Sequence, residues 1–280
     1  MTTENFNITS QSFRRAMDRQ EFLVVYQPKV DMQTEKCIGL EALLRWNRKD
    51  GSTVSPELFI PAAEETGDIT ALTFYVLEYV CQCLGEWRAR GMPALPVSVN
   101  ISRRDLCRED FPRRLIRCLK TYRVDSRCIE LEITETAFVR DCEEIAERLG
   151  ILRDYGIRIA MDDFGTGYSS LFCLKTLPID VLKIDRIFLK DLATDKVNQS
   201  ILKGILDLAQ ALHLEVVYEG IETKAQVDYL KRFQHKNAQG FYYAGALTKQ
   251  ELEYWLSKKE CGFPLAANGP WKQGLFSYAE

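Results

Sequence analysis

Residues Ile159 to Leu171 read IAMDDFGTGYSSL: an apolar run ends in two adjacent carboxylates, Asp162 and Asp163, and a glycine-punctuated loop follows. Paired carboxylates at a strand end suit a divalent cation. A strand sends successive side chains to opposite faces, so the two acids diverge unless the strand stops there, which Gly165 and Gly167 suggest. The competing assignment makes Asp163 the cap of the next helix and Asp162 part of an ordinary turn, both frequent uses of aspartate.

Acidic or amide residues also close other β-rich runs: Glu41 in CIGLEALLRW, Asn100 in LPVSVNIS, Glu132 in CIELEIT and Glu219 in LEVVYEG. In a parallel α/β chain the carboxyl ends of the strands share one face, so these residues converge although they are distant in sequence. Glu41, Asn100, Glu132, Asp162 and Asp163 form a hard-oxygen set suited to Mg²⁺ or Mn²⁺ and poorly suited to metals that prefer imidazole or thiolate. Two such ions can polarise a phosphoryl oxygen and generate a hydroxide for in-line attack, which is phosphodiester chemistry. Without metals, carboxylates at this density repel one another and a phosphate alike.

Lys183, in VLKIDRIF, ends a mostly apolar strand, where an ammonium can orient an attacking water or stabilise developing charge; alone it reads more readily as a snorkelling lysine, and its place in the set reverses that preference. Asp185 shares its strand face and is a candidate salt-bridge partner. Glu219 and Glu222, in YEGIET, can hold a second metal or cap the next helix through Thr223. Gln239, in AQG, can read a base edge or a phosphate, or satisfy a backbone group. Gln27 in VYQPKV, with Leu43 and Arg45 in EALLRW, falls near the same barrel mouth, and the planar fork of Arg45 suits a phosphate.

The elements that must position these residues alternate. An amphipathic segment at Phe13 to Arg19 precedes strands at Phe22 to Asp31 and Ile38 to Trp46. Helices follow at Pro56 to Thr66 and Ile69 to Arg90, the second stopped by Gly91, Pro93 and Pro96. Strand–helix pairs then run from Val97 to the end, with a last strand at Gly240 to Tyr243 and a last helix at Lys249 to Lys258. About eight strands with interleaved helices favour an α/β fold of the (β/α)8 barrel type over an open sheet, and no GxGxxG supports a dinucleotide-binding fold. The barrel occupies residues 1–260, with its core at about 13–256. Residues 261–280, rich in glycine and proline, form a tail.

A chain of 280 residues that is 46% hydrophobic can bury a core of this size. A net charge of -3 without a basic stripe excludes binding to a nucleic acid polymer through phosphate neutralisation. Nine cysteines without a CxxC pair, only two histidines and no signal-peptide pattern indicate a reducing, cytoplasmic setting and no zinc site. No apolar stretch approaches the roughly 18 residues needed to span a bilayer.

The ordered motifs EALLRW, SVNIS, ELEIT followed by Glu135, MDDFGTGYSSL, LKIDRIF, YEGIET and AQG resemble the EAL family of cyclic di-GMP phosphodiesterases over about Phe13 to Leu256. That resemblance implies a TIM-like barrel with an antiparallel first strand, and hydrolysis of cyclic di-GMP to linear pGpG with Mg²⁺ or Mn²⁺, inhibited by Ca²⁺. It implies one metal on Glu41, Asn100, Glu132 and Asp162, a second on Asp162, Asp163 and Glu219, and an attacking water on Lys183. Gln27, Leu43, Arg45, Gln239 and Glu222 would contact the substrate. Glu135 would brace the DDFG loop, at which relatives form homodimers and which can carry a signal from a regulatory protein partner. Tyr218 stands where the family has a small residue, and Gly245 with Ala246 where a basic or small residue and proline are usual. A non-catalytic receptor for cyclic di-GMP and a pure protein-interaction module are the competing classes.

Overall fold

The computed structural model describes residues 8–134, 142–165, 170–192 and 194–260. Nine strands form one sheet: β1 (Phe22–Asp31), β2 (Cys37–Asn47), β3 (Thr53–Val54), β4 (Val97–Asn100), β5 (Ile129–Thr134), β6 (Arg158–Phe164), β7 (Val181–Ile184), β8 (Glu215–Tyr218) and β9 (Asn237–Gln239). Eight of them close a barrel in the order β1-β9-β8-β7-β6-β5-β4-β2, because β1 also pairs with β2, while the short β3 hairpins onto the end of β2. β1 runs antiparallel to both neighbours and the remaining barrel pairs are parallel. This is the TIM-like barrel with a reversed first strand.

Most strand positions are buried on both faces, since one face meets the helices and the other fills the barrel. Along β5, Ile129, Leu131 and Ile133 join the large outer core between sheet and helices, whereas the alternate Glu130 and Glu132 point inward. The same alternation sends Leu182 and Ile184 outward and Val181 and Lys183 inward. Inside the barrel the only separate apolar cluster among the described residues is Ala160, Val181 and Val217. The remaining interior is polar, which is where the chemistry is possible.

The helices of the described residues are α1 (Ser10–Asp18), α2 (Pro56–Thr66), α3 (Ile69–Ala89), α4 (Arg103–Leu106), α5 (Phe111–Tyr122), α6 (Cys142–Asp154), α7 (Ser170–Thr176), α8 (Lys196–Ala211), α9 (Lys224–Leu230) and α10 (Lys249–Glu260), most of them in the crossovers between strands. Local signals set their starts: Asp195 accepts from the Val197 and Asn198 amides at the head of α8, and Thr223 with Gln226 forms a capping box on α9. Thr223 thus performs the capping role that was the alternative use of Glu219 or Glu222. An aromatic cluster of Phe13, Phe22, Trp46 and Phe59 packs α1 (Ser10–Asp18) and α2 (Pro56–Thr66) onto the β1–β2 hairpin, fixing the wall that carries Leu43 and Arg45.

Two sequence expectations need correction. The last strand is Asn237–Gln239, not Gly240 to Tyr243: β1 pairs only as far as Lys29 opposite Gln239, and the chain then turns. The Tyr243 and Ala244 amides donate back to the Gly240 carbonyl at 3.0 and 3.2 Å, so the run GFYY forms a turn instead of extending the strand. Likewise β6 does not stop at the DD pair but continues to Phe164. The C-terminal segment 261–280 and Glu135 lie outside the described residues. No helix among the described residues is long and apolar enough to cross a membrane.

Candidate active site

A break in β6 resolves the geometric problem of two adjacent aspartates. Its pairing with β7 slips between Met161 and Phe164, and Asp163 adopts a left-handed backbone with φ of 54°. A bulge of this kind re-aims a side chain at the cost of local strain. The outcome is that Asp162, Asp163 and Glu219 can each present an oxygen within 4.8 Å of the others. This trio is the second metal-ligand group implied by the family resemblance.

Lys183 ties the trio to the first group. Its ammonium, 1% exposed, lies 2.7 Å from Glu132, 2.8 Å from Glu219, 3.0 Å from Asp162 and 3.8 Å from Glu41. These four carboxylates come from or just beyond four different strands, β2, β5, β6 and β8. Asn100 at the end of β4 donates to Glu41 Oε1 at 3.0 Å, and Gln239 donates to Glu41 Oε2 at 2.5 Å and to Gln27 Oε1 at 3.0 Å. Lys183 is therefore not a snorkelling lysine. Asp185 is not its partner either: that carboxylate caps the turn after β7 by accepting from the Ile187 amide.

Electrostatics mark the same place. Burial, followed by repulsion from Glu132, pushes the Glu41 carboxyl up to about 7. Burial and the neighbouring Asp162 raise Asp163 to about 6, and burial raises Glu219 well above the usual carboxylate range against the pull of Lys183. Burial works against the charge of Glu132 as well, yet Lys183 and Lys29 outweigh it and hold that group at about 2. Groups that resist ionisation beside one held firmly ionised are what an acid-rich cluster short of positive charge produces.

Two cavities flank the cluster. One of about 970 Å³ is walled by Leu43, Arg45, Ile60, Asn100, Arg103 and Arg108 among others. The second, of about 230 Å³, is walled by Gln27, Glu41, Glu219, Glu222, Gln239 and Phe241 among others. Leu43 borders both. Arg45 donates to the Leu44 carbonyl at 3.0 Å from the wall of the larger cavity. Tyr218 points away from the mouth into the outer core with its ring fully buried, so it does not stand beside the Glu219 carboxylate.

Sequence reasoning overlooked the layer beneath. Lys29, Ser98 and Glu130 are buried inside the barrel, and Lys29 contacts Glu132 directly. The available signal was Lys29 itself, two residues from Gln27 on the same strand face and charged within an apolar strand.

The donors fit hard divalent cations. All are oxygens, five carboxylates crowd one ammonium, and the Gln239 Oε1 is buried without a hydrogen-bond partner.

The family model for the EAL domain matches residues 10–246. A cyclic di-GMP phosphodiesterase of Pseudomonas aeruginosa is 38% identical over 248 residues, which cover 88% of this chain and 42% of that protein. The oxygen sensor protein DosP of Escherichia coli is 33% identical over 250 residues, covering 89% of this chain and 31% of that protein. The chain thus spans less than half the length of these curated relatives. Among solved structures, that of the PaMucR phosphodiesterase in complex with c-di-GMP aligns with a TM-score of 0.81 at 35% identity, covering 86% of this chain and 98% of that one.

Proposed function

The chain belongs to the EAL domain family, and from that premise we propose that it is a cytoplasmic phosphodiesterase that hydrolyses cyclic di-GMP to linear pGpG with two divalent cations, Mg²⁺ or Mn²⁺. The observation that carries the proposal is the Lys183 ammonium held by Glu41, Glu132, Asp162 and Glu219 at the barrel mouth, with Asp163 turned toward them by the β6 bulge. Every ligand position is filled by a competent donor, which a degenerate receptor has no reason to keep.

Glu41, Asn100, Glu132 and Asp162 would hold one cation, and Asp162, Asp163 and Glu219 the other. Bound there, the cations supply Lewis acidity and neutralise charge at the scissile phosphate. Lys183 is then released from part of its carboxylate cage, and its Nζ can hold and orient the attacking water. Gln239 and Asn100 grip the two oxygens of Glu41 and keep that carboxylate aimed at the mouth. The two cavities meeting at Leu43 suit a ligand with two bases joined by a phosphate ring, with Arg45 placed to meet a phosphate and Gln27 and Glu222 lining the smaller side. A second copy of the chain would dock beside the DDFG loop, where Leu171, Phe172 and Ile187 are exposed.

Incubation of the chain with cyclic di-GMP, followed by chromatography, tests the proposal. Linear pGpG should form with Mg²⁺ or Mn²⁺, diminish with Ca²⁺ and be absent for Glu41→Ala. Tight binding without product in either metal would instead make the chain a receptor.

A further inference from the structure

Glu132 is gripped on both oxygens by different lysines. Its Oε2 accepts from Lys183 at 2.7 Å and its Oε1 from Lys29 at 2.7 Å. The two cations differ in what else they hold. The other partners of Lys183 are Glu41, Asp162 and Glu219, all at the mouth. Those of Lys29 lie deeper: Glu130 Oε1 at 2.8 Å and Ser98 Oγ at 2.5 Å, with the Ser98 hydroxyl itself donating to the same Glu130 oxygen at 2.7 Å. Glu130 and Ser98 belong to no ligand set.

An arriving divalent cation competes with both ammoniums for Glu132. Lys183 can yield, because its three other carboxylate partners, Glu41, Asp162 and Glu219, all lie at the mouth and remain to hold it. Lys29 is buried like Lys183 but is anchored by Glu130 and Ser98 on the side away from the mouth. We propose that Lys29 is a positioning residue of the metal site. It retains Glu132 Oε1 whether or not a cation is bound, so that Glu132 offers Oε2 alone and exchanges Lys183 for the metal. The β1 lysine thereby fixes the orientation of a ligand on β5, as hydrogen-bond partners behind metal ligands generally do. The proposal rests on the metal site described above.

Mn²⁺ titration calorimetry on three chains tests it: wild type, Glu130→Gln and the pair Lys29→Met with Glu130→Gln. Removing both members of the ion pair avoids leaving two buried carboxylates without their cation. Glu130→Gln keeps Lys29 on Glu132 and should bind Mn²⁺ within about threefold of wild type, whereas the double variant should bind about 10- to 100-fold more weakly. Equal affinity in the two variants, or a loss of the same size in Glu130→Gln, overturns the role of Lys29. A crystal structure of the wild-type chain with Mn²⁺ decides the matter independently of how the variants fold: Lys29 should remain on Oε1, and a cation held by both Glu132 oxygens refutes the proposal. A wild-type chain that binds no Mn²⁺ refutes the metal assignment itself, which separates that failure from failure of the Lys29 inference.

Discussion

Glu41 should destabilise the metal-free protein. Its carboxyl is raised from an ordinary 4.5 to about 7 by burial and by Glu132. At about 1.4 kcal/mol per pH unit, keeping it ionised in the folded chain costs about 3 kcal/mol. The sign follows from proton counting. Between pH 4.5 and about 7 the folded chain binds the proton that the unfolded chain has lost, so stability falls as pH rises, and the whole penalty is present above 7. Glu41→Gln removes it.

The substitution also disturbs a contact. The Gln239 amide now donates to Glu41 Oε2, and must rotate to meet a new amide with its own unpartnered Oε1, giving up the bond to Gln27. That subtracts about 1 kcal/mol and leaves a gain of about 2 kcal/mol. At 2–4 °C per kcal/mol, Glu41→Gln should melt about 4–8 °C above wild type at pH 8 in EDTA, followed by circular dichroism. At pH 5 the gap should close. Mn²⁺ at about 100 times its Kd should add about 2.7 kcal/mol to wild type and less to the variant, narrowing or inverting the order. A variant that melts no higher than wild type at pH 8 without metal, or by the same margin at pH 5, would refute the assignment of Glu41 as a carboxylate held against its own ionisation.

Three further substitutions address separate features. Lys183→Ala should lower kcat by about 100-fold or more with a much smaller change in KM, measured by pGpG formation, because the ammonium acts on the reacting water; a change confined to KM would contradict that role. At Asp163 the left-handed backbone favours asparagine and penalises β-branching, and burial raises the carboxyl to about 6: Asp163→Asn should melt above wild type at neutral pH without metal while losing about 100-fold in activity, and Asp163→Val should be about 1–2 kcal/mol less stable than Asp163→Asn. Phe172→Glu should shift the sedimentation coefficient from dimer to monomer if the exposed face of Leu171 and Phe172 mediates self-association; an unchanged coefficient removes that face from consideration.

The barrel was legible because period-two strands alternate with period-3.6 helices over most of the chain, and the polar residues that end the strands could be placed on one face by topology alone. The bulge was not legible. Nothing in MDDFG states that β6 continues to Phe164 or that Asp163 takes φ of 54°, since that conformation is imposed by pairing with Ile184 of β7. The last strand was displaced by three residues because its partner is the distant, reversed β1, which rewards Asn237 to Gln239 over the more β-prone aromatics that follow. The residues proposed as metal ligands could be picked out at the strand ends, whereas Lys29, Ser98 and Glu130 lie within strands and are brought together only once three strands are laid side by side.

The interior charges also explain why the shortage of positive charge is confined to the mouth. Below it, Lys29 meets Glu130, Glu130 lies 3.8 Å from Arg158, and Arg158 meets Glu215 at 2.5 Å, which in turn accepts from Asn237. Signs alternate from the buried Lys29 and Glu130 to the more exposed Arg158 and Glu215 and balance, so the buried pair is compensated. At the mouth Glu41, Glu132, Asp162, Asp163 and Glu219 surround the single ammonium of Lys183; ionised together, five carboxylates less one ammonium would leave four negative charges, the charge of two divalent cations, and without cations burial holds Glu41, Asp163 and Glu219 back from ionising. A chain that needed only to fold would have extended the alternation to the top. On the proposed function the last layer is completed by cations taken from solution, and the stability lost at Glu41, Asp163 and Glu219 is then the capacity to bind metal measured in another way.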